Sequence, residues 1–197
     1  AIKKSKKLDL KIILGASALV SKYGELEKII LKDGFRIDTK IMNLVEGENP
    51  LSMSKTIGIG IIELSTILNK IKPDFVITVG DRYETLATSI SSVLSNFRLI
   101  HTMGGEITGT IDESIRHATS KLAHLHFVAT KKARERVIKL GEDPRYVFNV
   151  GCPRIDLVKN ILKKRNNINE NEIFRHGVGN RFSLKKNFLI ISQHPVT

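Results

Sequence analysis

Phe75-Val76-Ile77-Thr78-Val79-Gly80-Asp81-Arg82-Tyr83-Glu84 decides the fold. A run of β-branched and aromatic residues, the composition of a strand, breaks at a glycine onto charged residues just before a helical pattern. The same order returns downstream. The strand pattern Arg98–Thr102 leads into Gly104-Gly105-Glu106-Ile107-Thr108-Gly109-Thr110-Ile111-Asp112-Glu113-Ser114-Ile115-Arg116-His117. Each block places carboxylates and an arginine at the end of an apolar run. In an open α/β sheet, ligands bind outside the carboxyl ends of the strands. The chain therefore reads as part of an enzyme built around an anionic small molecule.

Working outward, short β-branched runs alternate with helical patterns, the mark of βαβ units and a parallel sheet. Strands are predicted at Leu10–Leu14, Arg36–Thr39, Phe75–Val79, Arg98–Thr102, Leu125–Val128, Tyr146–Val150 and Phe188–Ser192. They read as continuous apolar runs, as strands covered on both faces do. Helices are predicted at Tyr23–Lys32, Ser54–Ile71, Glu84–Ser95, Ile111–His124, Lys131–Leu140 and Pro153–Lys164. Ile57, Ile61, Leu64 and Leu68 give the second of these an apolar stripe, and Pro73 ends it. Between Asn160 and Asn187 the chain is rich in Asn, Lys and Arg with little periodicity, and reads as a connector. Ala1–Lys7 resembles the tail of a helix and Gln193–Thr197 a strand-to-helix turn, so both ends are expected to be truncated.

The 197 residues suit one large domain, or one domain and the start of another. The hydrophobic fraction of 41% is enough for a substantial core. No apolar run is both long and uninterrupted enough to span a bilayer, and the basic N-terminus is not followed by a signal peptide's apolar region and cleavage site. One cysteine, Cys152, excludes an intrachain disulfide and makes a cytoplasmic, reducing location the expectation. The net charge of +12 is spread over Lys3–Lys7, Lys131–Arg136, Lys163–Arg165 and Lys185–Lys186. No basic run is interleaved with aromatics, so the charge reads as solvated faces, with neither nucleic acid nor membrane as a partner.

Gly80 lets the backbone turn without a Cβ clash, and a carboxylate at Asp81 would face the crevice as a general base or hold a sugar hydroxyl. The alternative is a helix cap, with Glu84 completing a capping box. Thr110-x-x-Glu113 also fits a capping box, while Asp112 falls in a helical first turn that favours carboxylates or else projects into the crevice. Gly104, Gly105 and Gly109 permit close approach of the backbone to a ligand, and the helix N-terminus after them suits a phosphate. Arg116 has the geometry to clamp a diphosphate bidentately, or is a surface arginine. His124-x-His126 lacks further ligands at metal spacing. Cys152 before Pro153 reads as a small buried residue. Gly58-Ile59-Gly60 lacks the third glycine and the preceding strand of a dinucleotide fingerprint. His194 follows the last predicted strand, where it would titrate near neutral pH and touch phosphate or a leaving group.

Together these segments resemble the hydrolysing UDP-N-acetylglucosamine 2-epimerases. The resemblance rests on Gly80-Asp81-Arg82-x-Glu84, His101-x-x-Gly104-Gly105-Glu106-x-x-Gly109-x-Ile111-Asp112-x-x-Ile115-Arg116-His117, Lys121-Leu122-Ala123-His124, Gly151-Cys152-Pro153 and Gln193-His194-Pro195-Val196-Thr197, and runs along nearly the whole chain. It implies an α/β, Rossmann-like parallel sheet with helices on both faces, the N-terminal half of a two-domain glycosyltransferase-B-like fold. Residues 1–165 would form that domain without its opening strand, 166–187 a connector, and 188–197 the start of a UDP-binding second domain.

The resemblance also implies a reaction. The C2 proton of a UDP-sugar is removed, UDP is expelled to leave an unsaturated sugar, and water adds to give the C2-inverted free sugar, N-acetylmannosamine. By position Asp81 and Asp112 match the family's catalytic carboxylates, and His194 a histidine acting at the substrate or the leaving UDP. Arg82, Gly104, Gly105, Glu113, Arg116 and His117 are the residues expected to bind substrate or order the site. A UDP-sugar substrate and a homodimer or higher homo-oligomer are expected, with no cofactor or metal. Two positions depart from the family. Met103 stands where sialic-acid-pathway members carry a catalytic Glu, and Ala18 where a histidine is usual. Methionine transfers no proton, so either Glu106 takes over as acid/base or the substrate differs, as among bacillosamine-type 2-epimerases. A glycosyltransferase of the same architecture and a non-catalytic nucleotide-sugar-binding relative are the alternative readings.

Overall fold

The structure, a computed structural model, describes residues 2–47, 49–163 and 170–193. Its first unit, Ala1–Gly151, alternates strand and helix: β1 (Ile13–Gly15), α1 (Leu26–Lys32), β2 (Thr39–Ile41), α2 (Pro50–Ile71), β3 (Phe75–Val79), α3 (Tyr83–Leu94), β4 (Arg98–Thr102), α4 (Ile111–Leu122), β5 (Leu125–Val128), α5 (Lys131–Lys139) and β6 (Val147–Asn149). Every pairing is parallel. β1 pairs with β2, and β3-β4-β5-β6 form a four-stranded sheet in chain order, so successive strands are neighbours joined by helical crossovers. Helices lie on both sides of the sheets. β3 and β4 run in register from Phe75↔Arg98 to Val79↔Thr102. Their carboxyl ends therefore finish level, and the two chemistry-bearing blocks leave the sheet side by side.

Two apolar clusters hold the layers. Val128, Ala133, Val137 and Val147 pack α5 onto β5 and β6. Ile41, Leu64 and Ala87 join β2, α2 and α3, with Ile13, Ile57 and Ile61 against them. Helix α2 starts four residues earlier than its apolar stripe predicts. Asn49 caps it: the Asn49 side chain accepts from the Ser52 N–H at 2.9 Å, the Ser52 hydroxyl accepts from the Asn49 N–H at 3.2 Å, and Pro50 stands at the first helical position. By length and composition α2 is apolar enough to cross a membrane, which the sequence, read for uninterrupted runs, did not indicate. Its residues Ser52, Thr56, Gly60, Leu64 and Leu68 recur at fourth positions as a buried stripe, the pattern of a helix laid against a protein layer. A Cβ on Gly60 would lie 3.1 Å from the Ala87 Cβ, so the small residue sets how closely α2 and α3 approach.

The second unit, Cys152–Thr197, contains α6 (Pro153–Lys163) and α7 (Glu170–Arg175). Helix α7 lies within the stretch expected to be a connector. Phe174 meets Phe182 edge-on with ring centroids 5.3 Å apart, and Phe182 meets Phe188 at a tilt with centroids 6.1 Å apart. The strand expected at Phe188–Ser192 does not form. Leu189, Ile190 and Ile191 are exposed; a strand exists only by pairing with a neighbour, and none stands beside it among the described residues.

Candidate active site

At the end of β3 the chain turns at Gly80, whose φ of +80° favours glycine. Its N–H donates to the Thr102 carbonyl at 3.0 Å. Asp81 follows, and its carboxylate is paired with the Arg116 guanidinium from α4. The second guanidinium nitrogen of Arg116 donates to the Glu106 carbonyl at 2.6 Å. The Arg116 side chain is 4% exposed and that of Asp81 28%. Burial pushes the guanidinium below its ordinary value. The capping alternative for Asp81 is thus not realised: α3 begins after Arg82, with no side-chain cap. Nor is Arg116 a ready clamp for a diphosphate, because it is turned inward onto protein groups.

Glu84, the other half of the expected capping box, instead takes the Arg82 Nε and Nη2 at 3.2 and 3.3 Å and the Ser17 hydroxyl at 3.2 Å. This ties the turn after β1 to the start of α3. Arg82 is held above its ordinary value chiefly by its hydrogen bonds to Glu84, with a smaller contribution from Asp112. Asp112 therefore stands in the same electrostatic neighbourhood, half-buried in the first turn of α4. Asp81, Arg82, Asp112, Arg116 and the backbone carbonyl of Glu106 thus stand near one another beyond the carboxyl ends of β3 and β4.

The loop between β4 and α4 is fastened to the protein throughout. Met103 takes a φ of +66° and donates its N–H to the Phe127 carbonyl at 2.9 Å. A non-glycine residue in this conformation costs about 1 kcal/mol, a strain of the kind kept at functional sites. A Cβ on Gly104 would come within 2.8 Å of the Ser120 hydroxyl, and one on Gly105 within 2.3 Å of the Ala133 carbonyl. These two glycines, expected to admit a ligand, admit protein atoms instead. Arg136 donates to the Gly105 carbonyl at 3.0 Å. The Glu113 carboxylate accepts from the Thr108 and Gly109 N–H groups, both at 2.8 Å, and these two bonds hold its carboxyl below the usual range. Glu113 thus clamps its own loop; the Thr110 side chain makes no cap. His117 lies 3.8 Å from Glu113, and its Nδ1 has no hydrogen-bond partner among the described residues. Glu106 is half-buried. His194 lies outside the described residues. Among the described residues, no three His, Cys, Asp or Glu groups converge on a metal position.

The sequence assigns no role to Ser17, to Arg136 or to His101 in β4, the last met only as part of a motif. His101 is fully buried. Its Nε2 is 2.9 Å from the Gly80 carbonyl oxygen and its Nδ1 3.0 Å from the Ser120 hydroxyl. Burial drives its pKa down to about 4. Between that value and the unfolded one near 6.5 the unfolded chain binds the extra proton, so folding weakens as pH falls through this window. The loss expected from this group is about 3 kcal/mol by pH 4. His101→Gln should flatten that part of the profile in chemical denaturation series from pH 7 to pH 4; parallel profiles would contradict it.

The family model described as UDP-N-acetylglucosamine 2-epimerase matches residues 1–197. The chain is 35% identical over its whole length to a GDP/UDP-N,N'-diacetylbacillosamine 2-epimerase (hydrolyzing) of Campylobacter jejuni, and 34% identical over 98% of it to the UDP-N,N'-diacetylbacillosamine 2-epimerase (hydrolyzing) of Legionella pneumophila. It spans 49% of each of these relatives. A UDP-N-acetylglucosamine 2-epimerase of Neisseria meningitidis is 33% identical over 77% of this chain and 39% of its own length. Among solved structures, a UDP-N-acetylglucosamine 2-epimerase superposes with a TM-score of 0.73 at 20% identity, over 87% of this chain and 48% of that one. The Neisseria meningitidis enzyme bound to UDP-GlcNAc gives 0.71 at 21%, over 83% and 43%. These structural likenesses establish the shared fold.

Proposed function

The chain belongs to the UDP-N-acetylglucosamine 2-epimerase family, and on that premise we propose that the full-length protein is a hydrolysing 2-epimerase of a UDP-linked 2-acetamido sugar. In this reading a carboxylate of the site takes the C2 proton, the C1–O bond to UDP breaks, and an unsaturated sugar remains. Water then adds its hydroxyl at C1 and a proton returns to C2 from the opposite face, releasing the C2-inverted free sugar. UDP leaves with the electron pair of the broken bond. The observation that carries the reading is the ion pair of Asp81 with buried Arg116 at the level ends of β3 and β4, with Asp112 in the electrostatic neighbourhood of the adjoining Arg82. The pair is made with ionised Asp81, the form that accepts a proton, and acid/base groups held rigidly on a scaffold are what such a reaction needs.

The hydrolysing type is supported by the names of the two relatives matched over nearly the whole chain. They also favour a diacetamido sugar over UDP-N-acetylglucosamine. Met103 fits this reading better than one that requires a glutamate there, and Glu106 supplies the second acid/base group. Its backbone is pinned through Arg116, so its carboxyl group starts from a fixed base. Glu106→Gln is expected to lower kcat about 10²-fold; a rate within threefold of wild type would remove it from the chemistry.

The reading itself is tested by incubating the full-length protein separately with UDP-N-acetylglucosamine and UDP-N,N'-diacetylbacillosamine and separating the products. UDP and a C2-inverted free sugar are expected, faster from the diacetylated substrate. A sugar transferred to an added acceptor would point to a glycosyltransferase, and binding of both compounds without UDP release to a non-catalytic relative.

A further inference from the structure

We propose that His101 is a positioning residue that aims the Asp81 carboxylate, an inference that rests on the reading of Asp81 as an acid/base group. Its hydrogen bonds define its tautomer. The Gly80 carbonyl can only accept, so the hydrogen sits on Nε2, and Nδ1 must accept from the Ser120 hydroxyl. The imidazole is neutral at physiological pH because burial holds its pKa near 4.

The consequence falls on the peptide that precedes Asp81. Gly80 is the residue type with the greatest backbone freedom. Here its N–H is bound to the Thr102 carbonyl and its carbonyl to His101. Both polar groups of Gly80 are taken, which fixes the peptide plane leading into Asp81. At the far end the Asp81 carboxylate is held by Arg116. Asp81 is thus located from both sides, as a preorganised reacting group must be.

His101 also reaches the helix that carries the other groups. Ser120 belongs to α4 and is fully buried, and the same helix bears Asp112 and Arg116. One side chain therefore links the end of β3, β4 and α4. The space around it is matched to this role. A Cβ at position 104 would lie 2.8 Å from the Ser120 oxygen and 3.0 Å from the His101 Nδ1, so Gly104 is what lets the hydroxyl and the imidazole meet. A leucine would fill the same buried site in β4; only a donor toward Gly80 and an acceptor toward Ser120 explain an imidazole there.

Two substitutions separate positioning from core filling. Glutamine reaches with an amide N–H to about where Nε2 donates; asparagine stops nearer Nδ1 and cannot serve Gly80. In the full-length protein, His101→Asn is expected to lower kcat about 10²-fold, the scale of a misplaced reacting group, while KM stays within about twofold. His101→Gln should recover at least tenfold of that loss. Thermal unfolding of both variants is measured alongside. Equal activity in the two, whether wild-type or reduced in proportion to stability, would assign His101 to the core alone. Should either variant fail to fold, nitrogen-15 NMR of the wild-type imidazole at neutral pH decides: the Nε2–H tautomer supports the proposal, and the Nδ1–H tautomer or an imidazolium overturns it. A wild-type protein without turnover on either UDP-sugar would bring down the functional reading and the positioning role with it. Wild-type turnover with an indifferent His101→Asn would bring down the positioning role alone.

Discussion

Asp81→Asn is expected to lower the turnover of the full-length protein about 10³-fold, equivalent to roughly 4 kcal/mol of barrier. Asparagine keeps the volume and an oxygen for Arg116 but accepts no proton. The substitution also acts on stability. It leaves the Arg116 guanidinium, 4% exposed, without its counter-charge. Breaking a fully buried pair costs about 3–5 kcal/mol; because Asp81 is 28% exposed and asparagine still accepts a hydrogen bond, about 2 kcal/mol is expected here. The two effects separate in the double variant Asp81→Asn with Arg116→Met. Removing the stranded charge should return most of the lost stability and none of the lost turnover. UDP-release kinetics and thermal unfolding read the two quantities. A single variant within tenfold of wild-type kcat would take Asp81 out of the chemistry.

Gly105→Ala is expected to cost about 4 kcal/mol of stability, joining an unfavourable backbone conformation to an overpacked site. Gly105 has a φ of +79°. An added Cβ would lie 2.3 Å from the Ala133 carbonyl oxygen, 2.9 Å from its carbon and 3.0 Å from its Cα. No rotamer relieves a clash with backbone. Ala133 is fully buried in α5 among Val128, Val137 and Val147, so either the helix or the loop has to move, and with it the Arg136 hydrogen bond to Gly105. Gly109→Ala is the control. Its φ of +72° is similar, but nothing lies within 4 Å of the new Cβ, so about 1 kcal/mol is expected. Equal losses in the two variants, measured by denaturant unfolding, would mean that the loop does not press on α5 as described.

Much of the fold is legible in the sequence because its signals are local. Phe75–Val79 and Arg98–Thr102 form strands with the boundaries that their composition predicts. The ends that shift do so for reasons of capping and pairing. The Asn49-Pro50-x-Ser52 start of α2 is written in the sequence, but an apolar stripe does not reveal it. β2 forms three residues beyond the start of its predicted run, at Thr39–Ile41, where it can align with Ile13–Gly15; such register is a property of two segments and not of either alone. Phe188–Ser192 has the composition of a strand but no partner strand among the described residues.

The site shows the same division. That Asp81, Asp112 and Arg116 belong together follows from their places at the ends of strands. Which of two roles each plays does not. Asp81 looks equally like a cap until Arg116, 35 residues on, is seen to hold it. Gly104 and Gly105 look like room for a ligand until Ser120 and Ala133 are seen to occupy it. His101 stands in the sequence as a motif residue without a role, since its meaning lies in Gly80 and Ser120, each contributed by a different element.

The most direct test of hydrolysing epimerisation is to incubate the full-length protein with UDP-N,N'-diacetylbacillosamine, and in parallel with UDP-N-acetylglucosamine, in deuterated water and to follow the sugar by NMR. Free sugar, inverted and deuterated at C2, together with released UDP, is the predicted result. A sugar that keeps its C2 proton, an epimer still attached to UDP, or no UDP release from either substrate would contradict it.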